Sequence, residues 1–92
     1  MPKFNGFMAR RRVQKRRAKL ESYRRACAEV DARDRGVCQW CYRPGDHHHH
    51  IVFRSRGGPD SPDNLITLCV TCHGLAHAHK IAAVDLQARL VR

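Results

Sequence analysis

Acidic residues are scarce in this chain of 92 residues: 8 Asp and Glu stand against 18 Lys and Arg, a formal net charge of +10 at pH 7. That imbalance in so small a chain points to a polyanionic partner. No apolar run approaches the roughly 20 residues of a membrane span, which excludes a bilayer-crossing helix. The basic stretch lacks a strong Trp, Phe or Leu face, so nucleic acid fits it better than a membrane surface. Aromatics make up only 7% of the residues. A chain this short buries a thin core and commonly needs a metal or disulfides to hold it. The start also lacks the apolar stretch of a secretory signal, because Arg10 to Lys19 lies where that stretch would be. A reducing compartment such as the cytoplasm is therefore the expectation, and cysteines there read as metal ligands.

Glycine and proline are absent from Met8 to Arg33, which is rich in Ala, Arg, Lys and Glu. The composition predicts a helix from about Met8 to about Ala32, after a loose tail from Met1 to Phe7. Leu20, Tyr23, Cys27 and Val30 recur every three or four residues and predict an apolar face on its second half. Arg10, Arg11, Arg12, Lys15, Arg16, Arg17 and Lys19 cover nearly every face of its first half and are candidate phosphate contacts. Like charges that dense repel one another, so this half is expected to order on a partner. The division read from the chain is a basic helical arm, 1–33, and a metal-binding domain, 34–92. In the domain, His47 to Phe53 reads as a strand and Arg54 to Asp63 as a loop. Leu65 to Leu68 reads as a returning strand, and Cys72 to Ala78 as a short helix. A last helical segment is read over Ile81 to Arg92, with Ile81, Val84 and Leu86 packing inward. The fold class expected is a small α+β domain.

Between Cys38 and His77 two sets of ligand spacing interleave. Cys38-Gln-Trp-Cys41 and Cys69-Val-Thr-Cys72 form a C-x2-C…C-x2-C set. Two thiolates three residues apart reach one ion from a tight turn, and a second pair closes a tetrahedron. A structural Zn2+ is the expected occupant; Cys27 is left over as a core residue. The histidines are then free for a second, open metal site. His73 and His77 are one helical turn apart, a two-point clamp. His73 is about 100° around the helix from Cys72, so the two face different ions. In the run His47-His48-His49-His50, alternate side chains point to opposite faces of a strand.

His49-His50-Ile51-Val52, Gly57-Gly58, Asn64-Leu65-Ile66-Thr67-Leu68-Cys69, Cys72-His73 and His77 together resemble the HNH endonucleases, which share the ββα-metal fold. The resemblance covers about half of the chain. It implies that His50 is the general base and Asn64 the residue that braces the base-bearing strand. It implies that His49, His73 and His77 are ligands of one catalytic divalent metal, with the four-cysteine zinc as an accessory. His49 stands where Asp is commoner, and Phe53 where a proline often follows the strand. Asp46, His47 and His48 are alternatives for ligand or base. Arg54 and Arg56 flank the site as candidate phosphate contacts.

The reaction implied is hydrolysis of DNA phosphodiesters, nicking or double-strand, with little sequence preference and 5′-phosphate and 3′-hydroxyl products. An all-imidazole ligand set suits Zn, Mn, Ni or Co better than Mg. Compact HNH proteins with a basic arm resemble phage- and prophage-borne members, some associated with DNA packaging, which makes phage packaging proteins a class of partner. The sequence assigns no oligomeric state. A competing reading is a non-catalytic zinc-ribbon module that binds nucleic acid. It accounts for the cysteines and the charge but not for the spacing of Asn64, His73 and His77.

Overall fold

A computed structural model describes residues 6–90, and the side chains of 11–90. Helix α1 spans Gly6–Asp34, strand β1 His47–His50, strand β2 Leu65–Leu68, helix α2 Val70–His77 and helix α3 Ala83–Leu90. Single 3-10 turns at Arg54–Arg56 and Pro62–Asn64 lie in the loop between the strands. The tail expected over Met1 to Phe7 already turns helical at Gly6, and Met1 to Asn5 lie outside the described residues. The helix continues through the charged half without a break. Arg, Lys, Ala and Gln are strong helix formers, and that propensity offsets the repulsion among the cations.

The two strands form an antiparallel pair with His47 opposite Leu68 and His50 opposite Leu65. All four residues of β2 are buried, because the strand is covered on both faces. Leu65 packs with Ala26 and Val30 of α1, while Ile66 and Leu68 pack with Ala76, Ile81 and Leu86 on the other side. Burial of each such aliphatic side chain contributes about 2 kcal/mol. The end of α1 is clasped to the same strand. Asp34 accepts the backbone N–H of Thr67 at 3.0 Å, and Arg33 bonds Asp34 and donates to the carbonyls of Pro62 and Leu65. These bonds hold the Asp34 carboxyl below the usual carboxylate range although burial opposes its ionisation.

Local boundaries differ from the sequence expectations for identifiable reasons. Strand β1 stops at His50 because the Val52 N–H leaves the ladder and donates to the Asn64 side chain at 2.9 Å. Helix α2 begins at Val70, two residues early, because the Cys69 side chain accepts the Cys72 N–H and caps the helix. Val84 is 73% exposed and does not pack inward, whereas Ile81 and Leu86 do. Leu20 is likewise outside the core, at 47% exposure, because the sheet ends before the helix reaches it. Cys27 packs beside Ala26, Val30 and Leu65.

Candidate functional site

The segment after α1 turns back at once. Arg35 and Gly36 both adopt left-handed conformations, with φ of 54° and 70°. A short hairpin follows, in which Cys38 N–H donates to Arg43 O at 2.7 Å and Tyr42 N–H to Cys38 O at 2.9 Å. This knuckle brings Cys38 and Cys41 against Cys69 and Cys72 at the start of α2. The four sulfurs lie within 4.8 Å of one another. Cys41 Sγ and Cys69 Sγ are 3.7 Å apart. Zinc with Zn–S bonds of about 2.3 Å spaces tetrahedral sulfurs about 3.8 Å apart, so the donor set fits the ion. Burial opposes ionisation of Cys38, but the backbone N–H groups of Cys41, Cys69 and Trp40 outweigh it and hold the thiol down to about 6. Cys69 is also lowered, chiefly by the Cys72 N–H. Burial and the neighbouring thiols push Cys72 up, because sulfurs this close resist ionising together without a cation. The four cysteines can hold a structural zinc.

On the adjacent face of α2, His73 and His77 meet β1. The register sends His47 and His49 to the α2 side of the sheet, and His48 and His50 to the α1 side. His49, His73 and His77 each offer a nitrogen within 4.8 Å of the others. His73 Nε2 and His77 Nε2 are 3.0 Å apart. Zn–N bonds of about 2.0–2.1 Å place tetrahedral nitrogens about 3.3 Å apart, so this group also suits a divalent cation. His49 is 3% exposed, and its buried Nδ1 has no hydrogen-bond partner among the described residues. Burial, with His73 and His77 beside it, holds His49 down to about 4. Burial, with His77 and His47 beside it, also lowers His73. Both imidazoles are therefore neutral near pH 7, the form that ligates metals. Phe53 walls the group, stacked on His77 with centroids 5.1 Å apart and edge-on to His49 at 5.8 Å. His47 lies outside this trio, with its Nδ1 2.7 Å from His73 Nδ1.

His50 shares the cleft but turns from the trio to the loop. Its Nε2 is 2.7 Å from Asp60 Oδ1, and both side chains are largely covered. Arg54 Nε sits 3.1 Å from the same carboxylate oxygen and 3.3 Å from His50 Nε2. A carboxylate only accepts, and Nε2 cannot donate to Asp60 while accepting from Arg54. The shorter contact wins, so Nε2 carries the proton. Burial tends to raise the Asp60 carboxyl, but His50 and Arg54 more than compensate and hold it low. Tyr23 of α1 stacks on His50 with centroids 6.0 Å apart. His48, by contrast, is tethered to Asp31 of α1 at 2.6 Å.

Asn64 is 6% exposed and fully bonded. It accepts from Val52 N and donates to Val52 O at 3.1 Å and to Pro59 O at 3.0 Å. One side chain thus ties both ends of the loop to the end of β1. Arg54 borders the histidine cleft, and Arg56 a neighbouring one with Phe53 and His79. Arg11, Arg12, Lys15, Arg16, Arg17 and Lys19 are all exposed along α1, and the side chain of Arg10 lies outside the described residues. Sequence reasoning missed Asp60 and the stacking role of Tyr23. Asp60 sits in irregular loop, where no periodicity points at it. The available signal was a pair of acids, Asp60 and Asp63, between Arg56 and Asn64 in a basic chain.

The family model described as HNH endonuclease matches residues 38–79, the segment that holds both ligand groups and the loop between them. Among curated proteins, Anaredoxin of Nostoc sp. (strain PCC 7120 / SAG 25.82 / UTEX 2576) is 34% identical over 68 residues, which are 73% of this chain and 74% of that protein. No solved structure matches the chain. With the two-stranded sheet, the following helix and the histidine group in place, this chain belongs to the HNH endonuclease family.

Proposed function

We propose that the protein is a metal-dependent endonuclease that hydrolyses DNA phosphodiester bonds. The observation that carries this is one cleft lined by His49, His73 and His77 and by His50, whose Nε2 pairs with Asp60 of the adjoining loop. Its polar side chains include an all-imidazole ligand set and a histidine whose proton position is fixed by a carboxylate. A divalent cation held by the trio, when bound, stabilises the negative charge that grows on the phosphate and on the leaving 3′ oxygen. With Nε2–H donating to Asp60, His50 keeps Nδ1 as its acceptor and takes the proton from attacking water. Asp60 then stabilises the imidazolium that forms. Arg54 keeps Asp60 ionised. Asn64 braces Val52 and the loop, which keeps His50 at its place at the end of β1. His47, hydrogen-bonded to His73, orients that ligand, and His48 ties β1 to α1; neither is the base in this reading.

Support for DNA as the substrate comes from the family and from the cationic surface of α1. The basic arm supplies sequence-independent phosphate contacts, and the zinc domain supplies the chemistry. A cytoplasmic site of action and a link to phage DNA packaging belong to the same proposal. His77→Ala is the test that separates the two metals. It should lower affinity for a second equivalent of metal and abolish cleavage, while one equivalent of zinc stays bound. Unchanged cleavage would remove the trio from the mechanism.

A further inference from the structure

The cations of α1 are not equivalent. At 100° per residue, Arg12, Arg16, Lys19 and Tyr23 fall within about 60° of one another, on the face that continues to Val30. Val30 is fully buried against Leu65, so the C-terminal part of that face is docked on the sheet. Its N-terminal part runs past the sheet and stays open. There Arg16, Lys19, Leu20 and Tyr23 line a cleft of about 440 Å³, closed on the far side by Arg54 and Asp60. That volume lies within the roughly 300–1,000 Å³ of small-ligand sites. Tyr23 and Arg54 also line the histidine cleft, of about 450 Å³, so the two clefts share a wall. The Arg54 guanidinium lies 4.7 Å from the centre of the Tyr23 ring. Leu20, which belongs to no core cluster, is an apolar surface among these cations.

We propose that this face of α1 is the track for the DNA strand flanking the scissile phosphate. Arg12, Arg16 and Lys19 hold successive backbone phosphates, and Leu20 packs against a sugar or base edge. The strand passes over Tyr23 and Arg54 into the histidine cleft. Charge complementarity favours DNA: three cations converge on the stripe, while the one acid in the cleft, Asp60, is already paired with Arg54 and His50. The stripe covers about 16 Å from Arg12 to Tyr23, enough for several nucleotides. Arg17 and Arg25 are exposed on the same helix but about 130–150° from the centre of the stripe, so they face away from it. The proposal rests on the nuclease reading of the histidine cleft.

The test is binding of a short DNA duplex across a salt series, without added divalent metal, so that no cleavage occurs. Arg12→Ala, Arg16→Ala and Lys19→Ala should each reduce the slope of log affinity against log salt by about 1. Arg17→Ala and Arg25→Ala remove the same charge from the same helix and should leave the slope unchanged. Leu20→Ala should weaken binding with no change in slope. Alanine favours helix, so none of these variants threatens α1. Equal losses from all five cation variants, or no loss from any, would overturn the track. A protein that shows the stripe pattern yet cleaves nothing with metal restored would sink the nuclease reading and leave the track standing.

Discussion

Four consecutive histidines have four different sets of contacts. His47 contacts His73, His48 contacts Asp31, His49 joins the ligand trio and His50 pairs with Asp60. This is how a homopolymeric run acquires distinct chemistry: the pleat separates odd from even, and neighbours separate members of each face. The family resemblance favoured His50 as the base and left Asp46, His47 and His48 open, and Asp60, the residue proposed to fix its tautomer, lies in a loop without pattern. His50→Ala should reduce kcat by at least about 100-fold, with zinc content and circular dichroism unchanged. Retained cleavage would place the base at His48. Asp60→Asn should lower kcat by roughly 10-fold or more with little change in KM, because it acts through His50 and not on DNA. A change confined to KM would instead make Asp60 part of the binding surface.

Strand β2 organises the elements. It pairs with β1, packs on α1 through Leu65 and on α2 and α3 through Ile66 and Leu68, and runs into Cys69. Its short apolar run, the C-x2-C spacing and the i,i+4 histidines were legible, because each is set by local sequence. The clasp of Arg33 and Asp34 was not, since it depends on where the end of α1 meets β2. Asp34→Ala leaves the Thr67 N–H without its acceptor and Arg33 without its carboxylate, and should cost about 3 kcal/mol of stability in a denaturant titration. The folded pKa of Asp34 is depressed below 3.8. Its contribution is therefore full above that value and is lost as pH falls through the folded pKa. Wild-type and Asp34→Asn proteins should converge in stability only at the acid end of that range. Gly58 makes a second check on the element scale. A Cβ there would sit 1.8 Å from the Val52 carbonyl oxygen and 3.0 Å from Asn64 Nδ2. Gly58→Ala should displace the loop that Asn64 braces, lowering both thermal stability and cleavage while metal content at the cysteines is kept. Unaltered cleavage would show that the brace is dispensable.

At the scale of the molecule, a four-cysteine group that can hold zinc lies beside the histidine group. Cys72 and His73 are adjacent on α2, so a zinc that locks Cys72 also fixes the direction of His73. The long helix carries the charge outward; the α-carbon framework extends 56 Å along its longest axis and only 27 and 21 Å across. Composition announced that charge, and spacing pointed to the cysteine and histidine groups, but which face of α1 looks into the cleft came only from its packing on β2. The most direct test of the central claim is cleavage of supercoiled plasmid by the purified protein with Zn, Mn, Ni, Co or Mg added singly. The account predicts nicked or linear product with one or more of the metals that imidazole favours, abolished by His77→Ala and by chelation. A gel shift without cleavage under every metal, or cleavage with Mg alone, would contradict it.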